Sequence, residues 1–168
     1  MTQENIRLKR YALYLLGKRD YAVAKMRDKL MCQYKRSNKA VVDDSCQTGA
    51  SCTTVVDQII QYLISYNFLD DAKYARQYSA SLARQGKSKR VIIQKLLNMG
   101  IAKDIVESEV VVDEQQQTQA IAHIIESHLR RTPDMLNTIQ GRSKLTRHLA
   151  YRGFAYDDIR RQMERKAN

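Results

Sequence analysis

The side chains that could do chemistry in this chain are a few carboxylate pairs, three histidines, three cysteines and a large surplus of cations. Paired carboxylates occur at Asp43-Asp44, Asp70-Asp71 and Asp157-Asp158. Acid–base catalysis needs two carboxylates held across a cleft, whereas neighbours on a helix point in different directions. The last two pairs stand at helix openings, where aspartate caps free N–H groups and complements the dipole. His123 and His128 are five residues apart, not the three or four that share a helix face, so spacing does not assemble a metal site. Cys46 and Cys52 lack the CxxC pattern and have no histidine nearby in sequence. Neither a glycine-rich nucleotide loop nor a serine nucleophile elbow is present. The expectation is a protein without catalytic residues, cofactor or metal, and so not an enzyme.

The cations point elsewhere. Lys and Arg number 29 against 18 Asp and Glu, a formal charge of +11. That excess favours an anionic partner: nucleic acid, an acidic protein surface or a membrane face. Residues 1–40 carry a net +8, residues 41–80 a net −3 and residues 135–168 a net +5. The two ends are therefore the anion-seeking parts. No apolar run approaches the ~20 residues of a membrane span. The apolar stretch Tyr11–Leu16 is too short for a signal-peptide core and runs at once into Lys18-Arg19-Asp20. An odd set of cysteines (Cys32, Cys46, Cys52) suits reduced thiols, and the expected location is the cytoplasm.

One proline and six glycines are too few for the turns of a sandwich or barrel, and apolar residues recur at helical spacing nearly throughout. Ile6, Leu8, Leu13, Leu15 and Leu16 mark a first helix, ending near Gly17. Asp20 can cap a second, with Val23, Met26, Leu30 and Tyr34 on one face. Thr54 can open a third, with Val55, Val56, Ile59, Ile60 and Leu63 inward, ending around Asn67. Asp70 caps a fourth, with Tyr74, Ala75, Tyr78 and Leu82 inward, stopped by Gly86. Ser88 caps a fifth containing Ile92, Leu96 and Met99, stopped by Gly100. A sixth runs from about Ala102 to Val112 and a seventh from about Glu114 to Leu129. Thr132-Pro133 starts the next element, which Leu145 and Leu149 carry to Gly153, and Ile159 and Met163 lie on a final helix.

This series repeats itself. Met26/Leu30, Ile92/Leu96 and Leu145/Leu149 are the same i, i+4 pair, and Gly100-Ile101 and Gly153-Phe154 follow the later two at equal distance. Asp104, Val106 and Val110 then match Asp157, Ile159 and Met163, an offset of 53 residues. The first copy fits only if 35–52 is an insertion; its Ser, Asn, Asp, Thr and Gly content predicts a mobile surface loop. The reading is all-α: three tandem three-helix repeats over 1–67, 68–112 and 113–168, which must stack to bury a core.

Each repeat places cations on its middle helix: Lys25, Arg27 and Lys29, then Lys87, Lys89, Arg90 and Lys95, then Arg142, Lys144, Arg147 and Arg152. The apolar stripe faces the core and many of these cations point away from it. A series of such faces suits a long polymeric partner. Gly100 and Gly153 have two readings: helix C-caps onto which Ile101 or Phe154 folds back, or the turn of a helix-turn-helix DNA reader. Capping alone explains the spacing, and the acidic openings of the helices that follow would repel phosphate. Tyr62, Tyr66, Tyr74 and Tyr78 fall at helical spacing and are expected in the core rather than as base-stacking platforms.

Taken in order, these motifs resemble the RecX regulatory proteins. The resemblance lies in Arg19-Asp20-Tyr21 with Met26-Arg27-Asp28-Lys29-Leu30, and in Phe68-Leu69-Asp70-Asp71-Ala72-Lys73-Tyr74-Ala75. It continues in Arg84-Gln85-Gly86-Lys87 with Arg90, Ile92, Leu96 and Gly100-Ile101, and in Arg152-Gly153-Phe154 with Ile159-Arg160. The chain departs from the family at Ser88 and Lys89, where a glycine and a proline are common, and in the 35–52 insertion. The resemblance implies an elongated, curved array of three-helix units, acting as a monomer. It implies binding along the groove of the RecA–single-stranded DNA filament, blocking its growth and suppressing ATP hydrolysis, strand exchange and co-protease activity. Single-stranded DNA contacts and weak duplex binding go with that reading. Asp70, Asp71, Gly100, Gly153 and Phe154 are then structural motif residues and the middle-helix cations the partner-binding ones. Two rivals remain: a sequence-tolerant DNA-binding protein of helix-turn-helix-like repeats, and a helical scaffold for another acidic partner.

Overall fold

The computed structural model describes residues 3–37, 48–111 and 113–167, and among these it is helical with no strand. The helices are α1 (Gln3–Leu16), α2 (Val23–Ser37), α3 (Thr48–Ser65), α4 (Asp71–Arg84), α5 (Lys89–Asn98), α6 (Lys103–Glu109), α7 (Glu114–Leu129), α8 (Ile139–Tyr151) and α9 (Tyr156–Ala167), with a 3-10 turn over Pro133–Leu136. The chain forms two compact bodies. One comprises Met1–Tyr74 with Leu97–Ile105, the other Ala75–Leu96 with Val106–Asn168.

In the first body α1, α2 and α3 pack on one another around Leu8, Ala12, Met26, Leu30, Val56, Ile59, Ile60, Leu63 and Leu69. In the second, α7, α8, α9 and the 3-10 turn close over Ile121, Ile125, Leu136, Leu145, Leu149, Phe154 and Ile159. The repeating pairs Met26/Leu30, Ile92/Leu96 and Leu145/Leu149 are all fully buried, and Val106 and Ile159 are buried at their matching positions. Burying one such side chain contributes roughly 1.5–3 kcal/mol, so these stripes dominate the packing of helices too short to be stable alone.

Helix ends explain several departures from the sequence reading. The α2 opening is not capped by Asp20. Ala22 starts the helix, its carbonyl accepting the Met26 amide at 2.9 Å, and the Val23 N–H donates to Asp71 Oδ1 at 2.8 Å. The adjacent aspartates therefore divide the work, since Asp70 Oδ1 accepts the Lys73 N–H at 3.0 Å in its own helix. Burial pushes the Asp71 carboxyl above the ordinary aspartate range, with the Val23 amide pulling the other way and the Asp70 charge adding to the rise. Thr132-Pro133 opens only the 3-10 turn. Helix α8 starts at Ile139, where Thr138 Oγ1 accepts the Gly141 N–H at 3.1 Å.

The insertion read as a loop over 35–52 is helical at both margins. Lys35 and Arg36 lie in the last turn of α2, where cations complement the dipole, and α3 begins at Thr48, six residues before Thr54. Extending an existing helix costs far less than starting one. The middle of that segment, with Cys46 and Asp43-Asp44, lies outside the described residues, as does Val112; α6 ends at Glu109. Cys32 is a free, exposed thiol.

Gly100 and Gly153 are C-caps with φ of 84° and 88°. After Gly153 the Phe154 amide reaches back to the Leu149 carbonyl at 3.3 Å, and the Phe154 ring is buried. Both also allow close approach: a Cβ at Gly100 would lie 2.6 Å from the Ala24 methyl, and one at Gly153 2.4 Å from Val91 and 2.5 Å from Ser88.

Removing the Asp71 cap by Asp71→Ala should lower stability by about 1 kcal/mol, because it strands a helix-opening N–H. Asp20→Ala should change it by less than about 0.5 kcal/mol. Urea titrations of the two variants check this; equal losses would restore Asp20 as the cap.

Candidate interaction surface

The buried pair on each middle helix sets which side chains turn outward. On α2, Lys25 and Arg27 are half-exposed and Lys29 partly buried. Lys25 Nζ stands 3.8 Å from the Asp28 carboxylate, a weak surface pair one turn on. Arg27 hydrogen-bonds Asp57 of α3. Lys29 Nζ lies 5.7 Å from the centre of the Tyr21 ring, and the Arg19 guanidinium carbon stands 4.7 Å from the same ring. Further along this body Lys9 sits 3.4 Å over Tyr62 and Lys18 4.3 Å from Tyr14. Nothing in linear spacing brings Lys9 to Tyr62; only the packing of α1 on α3 does. The core expectation for the tyrosines fails at Tyr66, which is 63% exposed and leans on Tyr62 with ring centres 4.5 Å apart. Tyr62, Tyr74 and Tyr78 are partly buried.

In the second body Arg90 of α5 is exposed and Lys89 and Lys95 are partly buried; Lys87, read on the same helix, lies in the turn before α5 begins at Lys89 and is also partly buried. On α8, Arg142, Lys144 and Arg147 are exposed, and Arg142 Nε donates to the Leu136 carbonyl. Arg152 differs from the rest. Its Nη1 donates to the Gln85 carbonyl at 2.8 Å and the Gly86 carbonyl at 3.3 Å, and its Nε to His148 Nε2 at 3.0 Å. The Arg152 carbonyl in turn accepts the Ser88 amide at 3.1 Å. The Gln85-Gly86 and Arg152-Gly153 motifs, 66–67 residues apart, are thus one joint. Arg152 acts within the fold; its charge alone gave no sign of that.

The same joint brings together two histidines that spacing kept apart. His128 Nε2 and His148 Nδ1 are 2.9 Å apart, with the rings edge-on at 86°. Arginine only donates, so His148 Nε2 must accept, and neutral His148 carries its proton on Nδ1 and gives it to His128 Nε2. Burial holds the His148 pKa below the ordinary histidine range, with the charges of Arg152, His128 and Lys87 lowering it further. Among the described residues no three His, Cys, Asp or Glu side chains converge as a metal site. No described helix is long and apolar enough to cross a membrane.

These observations define a class, the helical-repeat proteins built from three-helix units. The chain belongs to the RecX family: residues 70–108 match the family's second three-helix domain and residues 114–163 its third. It is similar to the regulatory protein RecX of Serratia proteamaculans (strain 568), 28% identical over 158 residues, which covers 88% of this chain and 90% of that one. A RecX of Clostridium botulinum (strain Eklund 17B / Type B) is 32% identical over 110 residues, 62% of this chain and 50% of that one. The crystal structure of RecX from Lactobacillus salivarius matches with a TM-score of 0.72 at 19% identity, over 98% of this chain and 97% of that one, a likeness of fold.

Arg152→Lys should cost about 1–2 kcal/mol in urea denaturation, since an ammonium cannot reproduce the fork to two carbonyls and a ring nitrogen. Arg147→Lys on the open face should be near neutral. The histidine joint also predicts a pH effect with a definite sign. His148 binds its proton more weakly folded than unfolded, where the pKa is near 6.5. Its contribution is therefore complete above about pH 6.5 and lost progressively as pH falls below it. Thermal midpoints at pH 7.5 and 5.5 should differ in that direction, and His148→Gln should shrink the difference; an unchanged difference counts against the joint.

Proposed function

We propose that this protein is a negative regulator of a RecA-type recombinase: it binds the RecA–single-stranded DNA filament and restrains its extension, ATP hydrolysis, strand exchange and co-protease activity. Through these it modulates recombinational repair and the SOS response, acting in the cytoplasm as a monomer. The observation that carries the reading is membership of the RecX family, with relatives called regulatory proteins aligning over 88% of the chain.

The chemistry of the surface supports it. Three modules, over 1–67, 68–112 and 113–168, each hold cations outward from a buried pair on the middle helix. Lys25, Lys29, Lys87, Lys89, Arg90, Lys95, Lys144 and Arg147 are the contacts this reading uses, with Arg27 and Arg142 contributing whatever their internal partners leave. A filament presents the same surface and the same phosphates at every subunit. Several weak contacts to it add through effective concentration, so a modest ion pair at each module suffices. A protein fastened across neighbouring subunits hinders the rearrangements that hydrolysis and strand exchange require.

The test is ATP turnover by RecA on single-stranded DNA. Wild-type protein should lower it. Charge reversal on one middle helix at a time (Lys25→Glu with Lys29→Glu, Lys89→Glu with Arg90→Glu, or Lys144→Glu) should each raise the concentration for half-inhibition several-fold. Combining helices should compound the loss. Turnover indifferent to the wild-type protein would overturn the proposal.

A further inference from the structure

The end of α8 carries a row of side chains whose hydrogen bonds all run one way. Arg152 Nε donates to His148 Nε2 at 3.0 Å, and His148 Nδ1 lies 2.9 Å from His128 Nε2 on α7. Arginine has only donors, so the arrangement that satisfies every link is a neutral His148 giving its Nδ1 proton to a neutral His128. The same guanidinium holds the turn between α4 and α5. Its Nη1 donates to the Gln85 and Gly86 carbonyls and stands 2.8 Å from where a Cβ at Gly86 would lie. With a φ of 69° at Gly86, this turn is shaped to admit the arginine. The Ser88 amide answers by donating to the Arg152 carbonyl, and Ser88 is only 1% exposed. Helix α5 begins at the next residue, Lys89.

We infer that the row Arg152, His148, His128 is an acid-operated latch: a proton taken by either ring breaks the row and frees the start of α5 from the end of α8. The inference goes beyond the filament reading and does not depend on it. A second proton on His148 sits on Nε2 and faces the Arg152 Nε–H, donor against donor. A second proton on His128 sits on Nε2 and faces the His148 Nδ1–H in the same way. His148 cannot turn its own proton round to accept it, because Nε2 must stay bare for Arg152. Burial opposes a charge on His148 first, and Arg152 on its own helix, His128 on α7 and Lys87 before α5 add positive charge to that opposition. A guanidinium is planar and rigid, so swinging Nε off His148 also lifts Nη1 from the two carbonyls. The other hold at this place, the Lys89 amide on the Gln117 side chain at 3.3 Å, does not titrate. The Arg152 contact is therefore the part of the joint that pH can open, and it governs how firmly Lys89 and Arg90 are held at the head of α5.

Two NMR measurements on the full chain test this. At pH 7.5, long-range nitrogen–proton spectra should show His148 with its proton on Nδ1; a proton on Nε2 would sink the latch. Amide exchange then reads the opening itself, expressed as protection factors so that the ordinary effect of pH on exchange is removed. Between pH 7.5 and 5 the Ser88 amide should lose about tenfold in protection, since each unit by which the closed joint lowers a pKa is worth tenfold in opening. The Ile159 amide, bonded to the Ala155 carbonyl within the same body, should keep its protection. His148→Gln retains an oxygen that can accept from Arg152 but takes up no proton, so in this variant Ser88 should be equally protected at both pH values. His123→Gln, at an exposed histidine on the same helix as His128, should behave as wild type. The inference is overturned by Ser88 protection that ignores pH in wild type, by an equal fall at Ile159, by a fall in His148→Gln as large as in wild type, or by its loss in His123→Gln. The tautomer measurement needs no variant and decides the matter even if His148→Gln does not fold.

Discussion

The fold depends on one packing constraint repeated three times: two apolar side chains four residues apart on a middle helix, with no exposure to water. Met26/Leu30, Ile92/Leu96 and Leu145/Leu149 fix the rotation of α2, α5 and α8 about their own axes. Once that rotation is set, every other residue on the helix has its direction assigned by the 100° step. The cations at 25, 90, 144 and 147 turn outward because the alternative would put an ammonium or guanidinium into a core of leucine and isoleucine, which only a buried partner could offset. In this protein the apolar core thus sets the electrostatic surface.

Family and geometry meet at this point. Residues 70–163 are matched almost continuously by the RecX three-helix domains, and the motifs that carry the family resemblance prove to be structural joints. Asp70 and Asp71 open two different helices. Arg152 and Gly153 lock α8 to the turn before α5, where Ser88 closes the contact from the other side. These motifs hold the arrangement of the helices on which the rest of the surface is built.

Much of the fold was legible in sequence because it depends on local periodicity. The repeating pair, the stops at Gly86, Gly100 and Gly153 and the caps at Asp70 and Ser88 all follow from spacing within a few turns. What was not legible is non-local. Asp20 stands where a cap for α2 would be, but the carboxylate that serves comes from 48 residues away. Pro133 looked like the first position of a long helix, yet Thr138 supplied a better start a few residues on. Arg152 looked like one more surface cation until its donors met Gln85 and Gly86. Tyr66 shows the same limit from the other side, since helical spacing marks a ring as able to be buried without saying whether anything covers it.

The Asp71 cap has a consequence for how the chain tolerates variation. Helix α2 receives this stabilisation only when a remote segment returns to it, so its first turn is conditional on closure of a long loop. The entropy of such a closure grows only logarithmically, about 0.6 kcal/mol for each doubling of the loop. Residues added between α2 and α3 therefore barely alter the cost of bringing Asp71 home. That stretch is a place where evolution can write new sequence, ten residues or thirty, while the same aspartate still finds the same amide.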